Sequence, residues 1–143
     1  MKSALNVFLI LLVVLGTSCK KDFKETQEKA ILLTKPAGWL TLKTELKVDA
    51  NNWVDITGTP LPTDADNLLI FDPWFSWAVS EGLTKVPGNA QIIANGTWNF
   101  IDNGTKIQIT DGNLMEITEL TETKLTVLVT ADGLTKRYTY GHP

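Results

Sequence analysis

Asp102-Asn103-Gly104-Thr105-Lys106-Ile107-Gln108-Ile109-Thr110-Asp111-Gly112 is the stretch that decides the fold. Asn and Gly tolerate positive φ at little steric cost, so Asp102-Asn103-Gly104 signals a tight turn between antiparallel strands. The residues after it alternate. Ile107 and Ile109 share one face, and Lys106, Gln108 and Thr110 share the other. A period of two marks a strand with one buried side. Asp111-Gly112 turns the chain back. Towards the C-terminus the pattern repeats. Leu114 to Leu120 is a strand with Met115 and Ile117 inward. Thr121 to Thr123 turns, and Lys124 to Thr130 places Leu125, Val127 and Val129 inward. Asp132-Gly133 turns again, and Thr135 to Tyr140 ends the series with Tyr138 and Tyr140 on one face.

Upstream, Ile92 to Ile101 is a strand with Trp98 and Phe100 on one face. Gly82 to Asn89, with Pro87 and Gly88, is the loop before it. Leu68 to Phe71 and Trp74 to Val79 are shorter strands separated by the breaker Asp72-Pro73. Asp49 to Asp66 is a long connection in which Trp53, Val54 and Ile56 are expected to fold back as an Ω-like flap. The first strand carries Leu40, Leu42, Leu46 and Val48 on one face and Thr41, Lys43, Glu45 and Lys47 on the other. Trp39 has the opposite parity, so a bulge or the strand entry must turn it inward. Ala30 to Leu33 forms a helical turn that Pro36 halts.

The result is an all-β domain of about eight strands in an up-and-down meander. Eight such strands can close their edges into a barrel, with a two-sheet sandwich as the competing architecture. A barrel of this size either fills its interior with side chains or holds one small ligand.

The N-terminus reads differently. Met1-Lys2-Ser3 is positively charged, Ala4 to Leu15 is apolar apart from Asn6, and Gly16-Thr17-Ser18 is small. That order is a secretory leader, too short to span a bilayer comfortably. Leu15-Gly16-Thr17-Ser18-Cys19 resembles the lipobox of bacterial lipoproteins, in which the cysteine thiol receives a diacylglycerol and the leader is cut before it. The resemblance implies a signal peptide at 1–18, lipidation of Cys19 and a mature chain starting there. Multiple acyl chains hold a protein stably on a membrane. Lys20 to Lys29 is polar enough to read as a tether. Lys35 lies sixteen positions after Cys19, and the chain between them reaches roughly 50 Å fully extended. The domains are then leader 1–18, lipidated Cys and tether 19–35, and barrel 36–143. The expected location is the cell envelope, on the outer membrane of a gram-negative bacterium. Cys19 is the sole cysteine, so no intramolecular disulfide can form.

The chain resembles a second family through its strands. Leu68-Leu69-Ile70-Phe71, Gly96-Thr97-Trp98-Asn99-Phe100, Asp102 to Ile109, and Ile117-Thr118-Glu119-Leu120-Thr121-Glu122-Thr123-Lys124-Leu125 look like the bacterial lipocalin-like domains. The resemblance covers roughly Pro36 to Tyr140. It implies an antiparallel barrel or half-barrel with room for an apolar pocket, often behind a lipoprotein signal.

The charge of −3, or −4 once Lys2 is removed with the leader, argues against nucleic acid as a partner. His142 is the only histidine and lies beside a chain end expected to fray, which makes it a poor catalytic base. Asp64, Asp66 and Asn67 lack the further oxygen ligands and spacing of a calcium loop, so no metal and no cofactor is expected. Trp39, Trp53, Trp74, Trp77 and Trp98 are many for this length. Most such residues fill cores. Trp53, Trp74, Trp77, Trp98 and Phe100 are nonetheless the candidate ligand-binding residues, because Trp53, Trp74 and Trp77, with Phe75, flank loops. The expectation is a monomeric, non-enzymatic, lipid-anchored protein whose barrel binds a small apolar ligand. The alternative is a surface module that holds glycans or proteins by loop aromatics. A third reading, an enzyme using Asp64 and Asp66, is weaker.

Overall fold

The computed structural model describes residues 23–58, 64–110, 112 and 114–143. The leader, Cys19, the first three tether residues and Asp111 lie outside these. A helix, α1 (23–33), precedes nine strands. They are β1 (Trp39–Lys47), β2 (Trp53–Asp55), β3 (Leu68–Phe71), β4 (Ser76–Ser80), β5 (Ile92–Ile101), β6 (Lys106–Ile109), β7 (Leu114–Leu120), β8 (Lys124–Ala131) and β9 (Leu134–Gly141). All pairings are antiparallel. The order is β2-β1-β3-β4-β5-β6-β7-β8-β9, and β1 also pairs with β9. Eight strands, β1 and β3 to β9, therefore close into a barrel, consistent with a lipocalin-like fold. The eight strands read from the sequence are these eight.

Turn chemistry sets the register as the sequence indicates. Asp102, Asn103 and Gly104 all have positive φ, at 51°, 55° and 74°. They link Ile101 to Lys106, which are paired neighbours. Lys106 Nζ closes the loop on Asp102 Oδ2 at 2.6 Å. Asp132 and Gly133, at φ 52° and 76°, form the two-residue turn between Ala131 and Leu134. Two successive positive φ values match the strand twist, which is why this dipeptide suits a hairpin.

The inward residues are those the alternation selects. Trp98 stands opposite Ile109, Phe100 opposite Ile107, and Ile107 opposite Met115. Val127 stands opposite Tyr138 and Leu125 opposite Tyr140. Trp39, Phe71, Ile107, Leu125 and Val127 are almost fully buried, and Trp98, Met115 and Tyr140 nearly so. These side chains fill the barrel at its α1 end. At the other end Val129, Leu134, Lys136 and Tyr138 border a pocket of about 190 Å³. Small-molecule sites start at roughly 300 Å³, so this recess is too small for a drug-sized ligand.

Four expectations are corrected. The stretch Lys20–Lys29 is not a tether throughout, because 23–33 is helical. Leu33 drives this: it is completely buried in the barrel core, and Ala30 packs against the same cluster. Trp39 Nε1 donates to the Leu33 carbonyl at 2.8 Å, and Lys29 Nζ donates to the Gly104 carbonyl at 3.1 Å. The first strand shows a different face from the one expected. A bulge between Thr41 and Lys43 leaves Leu42 exposed and sets Thr41 and Thr44 opposite the inward tyrosines. Leu46 keeps its expected face, while Leu40 lies on the outer parity and Val48 is exposed. Trp53 and Val54 form β2, paired to the end of β1, and not an Ω-like flap. Trp74 precedes β4, so it lies in a turn.

Candidate functional site

The β3–β4 turn is built by one carboxylate. Asp72 Oδ1 accepts from the Trp74 amide at 2.8 Å and from the Ser76 amide at 3.0 Å. Its Oδ2 accepts from the Ser76 hydroxyl. The Asp72 amide donates to the Ser76 carbonyl at 2.9 Å, and the Phe75 amide donates to the Asp72 carbonyl at 3.2 Å. The Ser76 hydroxyl, followed by the Ser76 and Trp74 amides, holds the Asp72 carboxyl below its ordinary pKa. Asp is suited to this role because its short side chain can bond amides two residues on.

Within this turn Phe75 adopts φ 64°. A bulky residue in that region is strained and persists only where its surroundings hold it. The ring of Phe75 meets Trp98 at 5.4 Å. Trp98 also meets Phe71 at 5.7 Å and Phe100 at 5.2 Å, both edge-on, the geometry that aromatic quadrupoles prefer. The backbone ties the turn to the same residue: the Trp98 amide donates to the Phe75 carbonyl at 2.8 Å, and its Nε1 donates to the Asp72 carbonyl at 3.2 Å. Trp98 is thus the hub that fixes the turn to β5.

Between this turn and α1 lies an apolar cleft of about 430 Å³. Ala30 and Ile31 form one wall, Pro73 and Phe75 the other, and Trp98 contributes to the lining. Its size is within the range of small-molecule sites, and its apolar walls with few polar groups fit that class.

The candidate residues separate into four groups. Trp98 lines the cleft, and Phe100 supports it from the core. Trp74 stands beside the cleft in the turn and is 87% exposed. Trp77 points into the barrel, opposite Phe71 and Gly96. A Cβ on Gly96 would lie 2.8 Å from Trp77 Nε1, so the indole needs a glycine beneath it. Trp53 lies away from the cleft. The Arg137 guanidinium sits 4.4 Å from its ring centroid and bonds Glu45 at 2.6 Å. Lys43 bonds the other Glu45 oxygen at 2.8 Å. Arg137, then Lys43, holds the Glu45 carboxyl down to about 2 from 4.5.

Sequence reading missed Ala30 and Ile31 as cleft walls. The available signal was the apolar Ala30-Ile31-Leu32-Leu33 run, whose periodicity extends back to Thr26 on a helix. The C-terminus also departs from the expectation of fraying. His142 Nδ1 bonds the Gly38 carbonyl at 2.6 Å, and its ring lies 4.2 Å from Trp39. Asp66 serves the fold: its Oδ2 accepts from the Leu83 and Thr84 amides at 2.7 and 2.9 Å. Among the described residues, no three His, Cys, Asp or Glu side chains converge on a metal position.

Comparison with protein-family models, curated protein sequences and solved structures returns no match. The functional reading therefore rests on the residues themselves.

Proposed function

We propose that this chain is a lipid-anchored, non-enzymatic protein of the outer membrane that binds a small apolar molecule in the cleft between α1 and the β3–β4 turn. The observation that carries the reading is the cleft itself: about 430 Å³, apolar on both walls, with Trp98 in its lining. The site is thus assigned to the rim of the barrel and not to its packed centre. The order of the leader and Cys19 supports the anchor.

Titration with N-phenyl-1-naphthylamine, a neutral apolar fluorophore, tests the binding site. Saturable emission is expected, with loss of saturation in Ile31→Asp. Ile31 is 69% exposed, so that change places a charge on the cleft wall without opening the core. Linear, unsaturated emission from the unaltered protein would remove the binding reading. Labelling with an alkynyl fatty acid tests the anchor: incorporation that is abolished by Cys19→Ser is expected. Absence of label from the native chain would remove it.

The alternative, glycan binding by loop aromatics, is favoured by Trp74 alone, because Trp53 is occupied by Arg137. A glycan contact by a single ring would be weak.

A further inference from the structure

Four large apolar side chains are exposed at one end of the molecule. Trp74 is 87% exposed, Ile31 69%, Phe23 67% and Phe75 57%. Trp74 and Phe75 are consecutive at the tip of the β3–β4 turn. Phe23 and Ile31 are eight residues apart on α1, hence on one stripe of the helix. Ile31 and Phe75 face each other across the cleft. The four therefore belong to one end of the barrel. That end is formed by α1, the segment after it and the turns they contact, through Lys29 of α1 to Gly104 and Lys35 beyond it to Glu122.

The turn that displays the two aromatics is rigid. Asp72 fastens it through the Trp74 and Ser76 amides and the Ser76 hydroxyl, and Trp98 fastens it to β5. Phe75 is held at positive φ with its ring largely in solvent. A strained, preorganised turn that leaves Trp74 in solvent, and over half of Phe75 beyond its contact with Trp98, displays more apolar surface than its packing uses. It suits contact with an apolar phase.

The position of the chain start decides which phase. Helix α1 begins at Phe23, four residues after Cys19. Four residues reach at most about 14 Å. An acylated Cys19 would hold the N-terminal end of α1 within that distance of the lipid, not at the roughly 50 Å that an unstructured tether would allow. The stretch 20–35 also carries five lysines against three acids, in a chain that is acidic as a whole. Lysines near a bilayer are attracted to anionic headgroups, and Trp and Phe favour its interface.

We infer that the β3–β4 turn and the outward stripe of α1 form a bilayer-contact face, with Trp74 and Phe75 inserted at the headgroup–acyl boundary. The inference rests on the proposed anchor at Cys19, and it adds an orientation: the α1 end of the barrel faces the lipid. The cleft is on that same face, so an apolar ligand enters it from the membrane side.

The test uses the full processed protein reconstituted in phosphatidylethanolamine–phosphatidylglycerol vesicles, with and without lipids brominated near the headgroup end of the acyl chain. The Trp74 signal is the difference between the unaltered protein and Trp74→Phe, a change on an exposed ring that leaves the core intact. Flotation of the same samples reports the anchor. The expected result is co-flotation, a blue-shifted Trp74 signal and loss of most of that signal to bromine. A protein that floats while Trp74 stays open to aqueous iodide overturns the inserted face and leaves the anchor standing. Protection from iodide without quenching by bromine also overturns it, since a protein surface would then cover the turn. A protein that does not float overturns the anchor, and the orientation with it.

Discussion

Leu33→Ala is the sharpest perturbation of this structure. Leu33 is the one fully buried side chain of α1, and it sits inside the main core cluster. Leu→Ala changes in cores cost about 2–5 kcal/mol, more where the site cannot collapse. Here the cleft lies directly alongside Ala30 and Ile31, so α1 can settle inward and the lower part of the range applies, about 2–3 kcal/mol. For a domain of this size a urea m value of about 1.5–2 kcal/mol per molar is expected, so the midpoint should fall by roughly 1–2 M. Urea titration followed by tryptophan emission measures this. Trp39 adds a local readout, because its Nε1 bond to the Leu33 carbonyl depends on the helix being docked. Amide exchange over 23–33 should accelerate more than exchange in β7 to β9. An unchanged midpoint, together with unprotected α1 amides in the native protein, would refute the reasoning: 23–33 would then be a solvated tether.

Gly96→Val should destabilise by about 1–3 kcal/mol through overpacking, since the new Cβ meets the Trp77 indole at 2.8 Å; thermal melting checks it. The Glu45 carboxyl titrates at about 2 in the fold against an ordinary 4.5, so its stabilising contribution is complete above pH 4.5 and disappears as the pH falls towards 2. Arg137→Met should flatten the loss of stability across that window, as followed by acid titration of circular dichroism. Asn103→Val should cost about 1–2 kcal/mol, because position 103 needs φ 55°; urea midpoints report it. Asp72→Ala should loosen the β3–β4 turn and shift Trp98 emission to the red, with little change in far-ultraviolet dichroism.

The strands were readable because each is short, amphipathic and bounded by a turn with its own chemistry. Met115, Leu125, Val127, Tyr138 and Tyr140 all face the side that alternation assigns them. What failed were features set by contacts between distant residues. The stretch 23–29 looks like a solvated linker because its composition is polar; it becomes helical through Leu33 and Trp39 at its far end. The parity of Trp39 signals an irregularity in β1 but not its position, and the bulge between Thr41 and Lys43 turns Leu42 outward. The candidate site was legible in part. Trp98 and Phe100 share a face by parity alone. The cleft needs α1 beside the β3–β4 turn, and those elements are some forty residues apart in sequence.

The pairing of β1 with β9 has a consequence for how the molecule is made. It joins partners such as Glu45 and Arg137, 92 positions apart. Contacts of such long separation are slow to form, because the intervening chain must first be ordered or confined. A nascent chain with β9 still inside the ribosome holds seven of its barrel strands but has no circle to complete. The two rims, on β1 and β8, then offer unpaired amides to any neighbour. Sealing waits for β9 to emerge, so a chain cut before Leu134 should yield a sticky ribbon and not a smaller barrel.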